Sequence, residues 1–283
     1  MTEAPAEQPQ PPSTGRAGRN LVSAVLVGAA LGIFLVLLPL LYAPWVFSIV
    51  VSAALVVAAH ELWGALAQRD FHVVRVPIYA GVALIPQAAY WWGTTAFIAT
   101  FGATVLAVLG WRLAGPPEGY VGDVSASVLV AAYTGLMGGF VGLMLASSQG
   151  GQRTIAFVVL TICSDIGGYA AGVLVGRHPI APRLSPKKSW EGFAGSVALQ
   201  VVAGGALFAV LFDAPWWQGA LTGLVLTVTA TAGDFAESAI KRDLGVKDMS
   251  SLLPGHGGLM DRLDSLLPNA VTSWLLFRVF LGP

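Results

Sequence analysis

The sequence predicts an all-α, polytopic integral membrane protein of about nine transmembrane helices, with its N-terminus in the cytoplasm. Three observations lead there. Apolar runs near the length that marks a membrane span recur along the chain. Hydrophobic side chains make up 55% of the 283 residues, above the roughly 45–50% of soluble domains. Lys and Arg then fall almost entirely on one side of the bundle those runs define.

In chain order, residues 1–19 are rich in Pro, Gln, Ser and Gly and predict a disordered N-terminal tail. Candidate spans follow at 21–38, 44–60, 76–91, 94–111, 124–146, 154–176, 192–212, 217–238 and 265–281. The run from Leu21 reads as a span, not a signal peptide, because run and preceding tail are both long and no small-residue cleavage site is clear. Some runs are short for a full crossing, which tilt or re-entry accommodates. The chain divides accordingly into the tail 1–19, N-terminal transmembrane helices 20–150, and C-terminal transmembrane helices 151–283 that carry the polar motifs.

Nine spans with the N-terminus inside put 13 of the 15 Lys and Arg residues on the cytoplasmic side, leaving only Arg153 and Arg278 opposite. A wrong count would scramble that asymmetry. The expectation is a multi-pass protein of the inner (plasma) membrane. Trp45, Trp91, Trp92, Trp111, Trp216 and Trp217 sit near run ends, as in an interfacial aromatic belt.

The formal net charge is zero, which excludes a global basic field and argues against a nucleic-acid partner. The single Cys163 excludes a disulfide framework. Gly168, Gly172 and Gly176 repeat every four residues, as do Gly28 and Gly32, Gly135 and Gly139, and Gly138 and Gly142. That spacing reads as helix-packing seams, not a nucleotide loop.

Polar residues concentrate in three clusters. Asp165 lies midway along an apolar span, where a carboxylate costs about 2.5–3.5 kcal/mol on insertion scales and marks a polar cavity or a partner. In "RLSPKKSWEG", Ser185-Pro186 reads as an N-cap with proline at the first helical position. Lys187 and Lys188 would then occupy the first turn, against the macrodipole, unless an anion such as phosphate sits there.

The third cluster spans two helix ends. Asp234 and Glu237 are at i and i+3, and Glu237 and Lys241 at i and i+4. Asp261 and Asp264 repeat the i, i+3 spacing at the start of the last span. Four carboxylates there suit a hard cation, Mg²⁺ or Ca²⁺, and Lys241, Arg242, Lys247 and Arg262 suit a polyphosphate. Gly255, Gly257 and Gly258 flank His256 before a helix start and would let backbone amides approach phosphate oxygens. A solvated, salt-bridged loop is the competing reading.

Residues Ser238 to Asp264, with Ser238-Ala239-Ile240-Lys241-Arg242, Lys247-Asp248 and Leu253-Pro254-Gly255-His256-Gly257-Gly258-Leu259-Met260-Asp261-Arg262-Leu263-Asp264, resemble the signature of phosphatidate cytidylyltransferases, without departure over 27 positions. "SDIGGYAAG", "LSPKKSWEG" and "GDFAES" are also similar, so the resemblance covers about residues 155–270. It implies that CMP passes from CTP to phosphatidic acid, giving CDP-diacylglycerol and pyrophosphate, in a polytopic and commonly dimeric fold that requires Mg²⁺. It also leaves a second cation open.

By matched position, the resemblance implies Asp234 and Asp261 as leading metal ligands, with Asp264 and Glu237 beside them. Asp234, Lys241, Asp261 and Asp264 become the catalytic set. Lys187, Lys188, Lys241 and Arg242 would hold phosphates, Ser185, Lys247, His256, Gly257, Gly258 and Arg262 complete the substrate site, and Asp165 takes the acidic position of an upstream motif. Two rivals remain at this stage: a CTP-dependent lipid-alcohol (polyprenol) kinase, and an ion-coupled transporter using Asp165.

Overall fold

The computed structural model describes residues 44–250 and 257–283. The expected tail, the span 21–38, Gly28, Gly32, Gly255 and His256 lie outside them. Each of the other eight expected spans is helical. The helices are α1 (Pro44–Ala67), α2 (Arg75–Arg112), α3 (Tyr120–Val130), α4 (Met137–Ala146), α5 (Gly150–Val175), α6 (Trp190–Phe212), α7 (Trp216–Leu244), α8 (Met260–Leu263) and α9 (Leu266–Leu281). Among the described residues, six continuous helices are long and apolar enough to cross a membrane.

Two elements depart from simple rods. At 38 residues, α2 is too long for one crossing, and it is broken at Gly93 (φ 75°, ψ −162°), in backbone space that side chains bar to other residues. The break falls between the expected spans 76–91 and 94–111. Between α3 and α4, residues Ala131–Leu136 form a π-helical turn, a local widening common at functional sites.

The bundle turns its large apolar side chains outward as well as inward, as a lipid solvent allows. Trp45, Trp91, Trp92, Trp111, Trp216 and Trp217 are all exposed. Inside, polar side chains tie the helices. Gln200 Nε2 donates to the Leu160 carbonyl at 2.7 Å, Thr227 donates to Gln200 Oε1 at 2.7 Å, and Asn269 Nδ2 donates to Thr161 at 3.1 Å. Each pairing satisfies a group that has no water to turn to.

The expected glycine seams are real on α4, where a methyl group at Gly142 would lie 2.3 Å from the Pro86 carbonyl and one at Gly138 2.4 Å from Leu55. Between α5 and α6 the closest crossing belongs to a different pair. A Cβ on Gly167 would lie 2.5 Å from the Gly195 carbonyl, and the reverse distance is the same.

The two ends of the bundle are chemically distinct. At one end, Arg112 Nε donates to Asp123 at 2.8 Å, the His72 amide donates to the same carboxylate at 2.8 Å, and Arg69 Nε donates to the Leu244 carbonyl at 3.0 Å. At the other, Arg153 donates to the carbonyls of Gly282 and Leu281 at 3.0 and 3.3 Å. Arg69 and Arg112 thus gather at one end and Arg153 at the other.

One local expectation is corrected. Residues 185–189 are not a helix start: Ser185–Ser189 forms strand β2, paired antiparallel with β1 (Pro179–Ala181). The N-cap is Ser189, whose Oγ accepts from the Gly192 amide at 3.1 Å. Ser185 and Ser189, four positions apart, look alike as caps in sequence, and the β1–β2 pairing decides between them. Lys187 and Lys188 therefore lie on a strand, where successive side chains point opposite ways: Lys187 is exposed and Lys188 turns inward. The macrodipole argument does not apply to them.

Candidate functional site

A cavity of about 290 Å³ opens between α5, α6, α7 and β2. Asp165, Ser185, Lys187, Lys188 and Asp234 all line it, bringing together residues that the sequence spreads over 70 positions. Gly168, Gly172 and Gly192 also line it. The α5 glycines read as a packing seam thus also leave room beside the two lysines.

Lys188 is the hinge of the electrostatics. Its ammonium donates to Asp234 and stands 5.1 Å from the Phe235 ring centroid. Burial pushes its pKa below the ordinary lysine value, while Asp264, Asp165 and Glu237 pull the other way. Asp165 in turn lies within electrostatic reach of Asp264, Lys188 and Arg262. The cavity and the ends of α7 and α8 therefore form one charged neighbourhood.

At its far side, Lys241 Nζ donates to Glu237 at 2.7 Å and to Asp261 at 2.8 Å. Asp261 also accepts from the amides of Gly258 and Met249, at 2.7 and 3.0 Å. Burial acts to raise its pKa, but the Lys241 ammonium and these amides hold it below the usual carboxylate range. The solvated-loop reading fails here, because Glu237 is fully buried.

Glu237 Oε2 is taken by Lys241, but Glu237 Oε1 is buried with no donor. Glu237 and Asp264 lie within hydrogen-bonding reach, and burial pushes the Asp264 pKa up. An orphaned buried acceptor costs about 1–3 kcal/mol. Two facing carboxyl groups call for a proton or a cation between them. These residues fit a hard cation on that ground. Among the described residues, no three His, Cys, Asp or Glu side chains are already arranged as a metal cluster. Asp234 and Asp261 each face a lysine instead.

Arg242, Lys247 and Arg262 are exposed around this end. Gly257 adopts φ 79°, and its neighbour's amides are engaged: Gly258 donates to Asp261, and Leu259 and Met260 donate to a carboxylate from α1. That carboxylate is Glu61, which sequence reasoning missed. Its oxygens also accept from Ser250 Oγ at 2.6 Å. Tyr133 was missed too. The π-helical turn carries it, its hydroxyl is buried without a partner, and it lies within electrostatic reach of Glu237 and Asp264. Glu61 carried a signal, a carboxylate at the edge of an apolar run, whereas nothing in the sequence sets Tyr133 apart from a core aromatic.

Buried carboxylates interleaved with lysines beside a polar cavity suit a phosphorylated, polyanionic substrate. Comparison with known proteins agrees. Residues 22–280 match the model of the cytidylyltransferase family. A phosphatidate cytidylyltransferase of Mycobacterium leprae is 41% identical over 94% of this chain and 90% of its own. One from Mycobacterium bovis is 40% identical over 97% and 96%. A Brucella suis protein of the same name is 41% identical over 51% of this chain and 56% of its own. With a family match spanning nearly the whole sequence and polar residues gathered as that chemistry needs, the chain belongs to the cytidylyltransferase family.

Proposed function

We propose that the protein is a phosphatidate cytidylyltransferase. It transfers CMP from CTP to phosphatidic acid, releasing pyrophosphate and leaving CDP-diacylglycerol in the bilayer. The observation that carries this reading is the convergence of Asp165, Lys187, Lys188 and Asp234 on one cavity, with Glu237, Lys241 and Asp264 within electrostatic reach of Lys188. The near full-length likeness to proteins of that name supports it.

A phosphatidate oxygen attacks the α-phosphorus of CTP in line; the new P–O bond forms as the bond to pyrophosphate breaks. Phosphate monoesters are largely ionised near neutral pH, since their second pKa is about 6. No strong general base is then required. Positioning and charge neutralisation do the rest. Lys187 and Lys188 approach the triphosphate from β2, and Lys241, Arg242, Lys247 and Arg262 form its other rim, with Ser185, Gly257 and Gly258 completing the pocket. Asp165 lines the cavity within electrostatic reach of Lys188 and offsets its charge. Glu237, Asp264, Asp234 and Asp261 would hold Mg²⁺, a second cation being compatible with four carboxylates; bound there, it neutralises phosphate charge.

The reading places the cavity at the cytoplasmic face of the inner membrane, with the N-terminus inside. CTP arrives there from solution while phosphatidate stays in the leaflet. It also carries a homodimer, which mass measurement in nanodiscs tests. For the reaction itself, the purified protein is incubated with phosphatidate and CTP labelled in the base. Label is expected in the lipid fraction. Label confined to soluble CDP would instead mark a lipid kinase and overturn the reading.

A further inference from the structure

We infer that Glu61 of α1 is a positioning residue for the nucleotide site, holding the turn that presents Asp261. The inference rests on the reading of Asp261 as a working carboxylate.

A helix start leaves its first amides without partners inside the helix. At α8 the residue before the helix is Leu259, which has no side-chain oxygen to offer, and no local side-chain cap is formed. The amides are satisfied in another way. Gly258 donates to Asp261 at 2.7 Å, Leu259 to Glu61 Oε1 at 3.0 Å and Met260 to Glu61 Oε2 at 2.7 Å. One carboxylate of the turn and one from a helix almost two hundred residues earlier thus divide three successive donors.

Glu61 is buried, at 5% exposure, within an apolar helix. A carboxylate there is retained only for partners it cannot find elsewhere. Both its oxygens are used, Oε1 also accepting from Ser250. The turn fits closely: a methyl group at Gly258 would lie 2.7 Å from Glu61 Oε2. Eight residues on, the turn that follows α1 acts at the other stem of the connection. Arg69 donates to the Leu244 carbonyl at the end of α7, at 3.0 Å. So α1 and the turn after it set a cation against the last carbonyls of α7 and an anion against the first amides of α8, each of the sign those groups attract.

Met249 and Gly258, both held next to Glu61's partners in sequence, are also the amide donors to Asp261. Glu61 touches neither substrate nor the reacting atoms. It acts through the turn, fixing where the Asp261 carboxylate stands.

The test compares wild type, Glu61→Gln and Asp261→Asn, purified in the same nanodiscs. Glutamine keeps the volume of Glu61 but has one acceptor oxygen and turns an NH₂ toward a backbone donor. KM for CTP is expected to rise at least tenfold in Glu61→Gln, with kcat/KM falling on the order of 10²-fold, the usual cost of misplacing a catalytic group by about 1 Å. Hydrogen exchange without substrate is expected to quicken at Leu259 and Met260 while α1, α5 and α7 keep wild-type protection. Wild-type KM and exchange would overturn the proposal. So would lost kcat with unchanged KM and faster exchange throughout the bundle, which marks general destabilisation. Asp261→Asn separates the two readings. If it is inactive and Glu61→Gln is normal, the positioning proposal alone fails. If it is fully active, the role given to Asp261 fails, whatever Glu61→Gln does.

Discussion

The Lys241 ammonium stands 2.8 Å from the Asp261 carboxylate, joining the end of α7 to the start of α8 across 20 positions of sequence. The same ammonium is 2.7 Å from Glu237, one turn back on its own helix. One cation therefore balances two carboxylates on two elements, and it is the only link between them that both share among the described hydrogen bonds.

Lys241→Met removes that balance. Activity in kcat/KM is expected to fall on the order of 10²–10³-fold, the range seen when one preorganised electrostatic group is lost. Lys241→Arg, which keeps the charge with a different donor geometry, should fall between. Steady-state assays on protein matched for monodispersity check both, and near wild-type turnover in Lys241→Met would remove Lys241 from the site.

Asp261→Asn should abolish Mg²⁺-dependent formation of CDP-diacylglycerol while folded protein stays in the membrane at wild-type amounts. Gel filtration by intrinsic fluorescence measures the second half of that statement. Retained turnover argues against a metal role for this carboxylate.

Mg²⁺ should also act on stability, because the Glu237 and Asp264 carboxyl groups face each other with one buried oxygen unpartnered. At 100-fold excess over its Kd, a ligand of the folded state contributes about 2.7 kcal/mol. The unfolding midpoint of wild type should rise with Mg²⁺ and drop on chelation, while Asp264→Asn should be insensitive. An equal rise in both would move the cation elsewhere.

Lys188 and Asp234 touch across the cavity, so their effects should not add. Lys188→Gln, Asp234→Asn and the double variant form a cycle whose coupling in kcat/KM is expected at about 0.5–3 kcal/mol. Additivity within error would mean the pair forms without consequence for the reaction.

The α5–α6 crossing, which borders the cavity, can be probed through stability instead of activity. Gly167→Leu forces a side chain where a Cβ already lies 2.5 Å from the Gly195 carbonyl, and should cost about 1–3 kcal/mol in thermal stability. Gly102→Ala, where nothing lies within 4 Å of the new Cβ, should show no such loss.

The spans were legible because lipid imposes long apolar runs, and the glycines of α4 because close backbones leave a four-residue rhythm. The third polar cluster was legible from spacing, as Glu237 and Lys241 one turn apart show. Other features were hidden for identifiable reasons. Ser185-Pro186 imitates a helix start, and only pairing with Pro179–Ala181 makes it strand. Glu61 ended the expected run 44–60, since charge reads as a boundary; α1 instead continues to Ala67 and buries it. Tyr133 looks like any core aromatic until the π-helical turn and its unpaired hydroxyl are seen. Partners far apart in sequence leave no local trace.

The grip of Arg69 on the Leu244 carbonyl bears on how such enzymes can be recombined. Residues 151–283 contain the whole signature, so a chimera joining them to unrelated spans would transplant its chemical groups intact. It would leave behind α1 and the turn after it, which clasp the connection at Met260 and at Leu244. Exchange of parts between relatives should then succeed when α1 travels with the signature it supports, and falter when the two come from different parents.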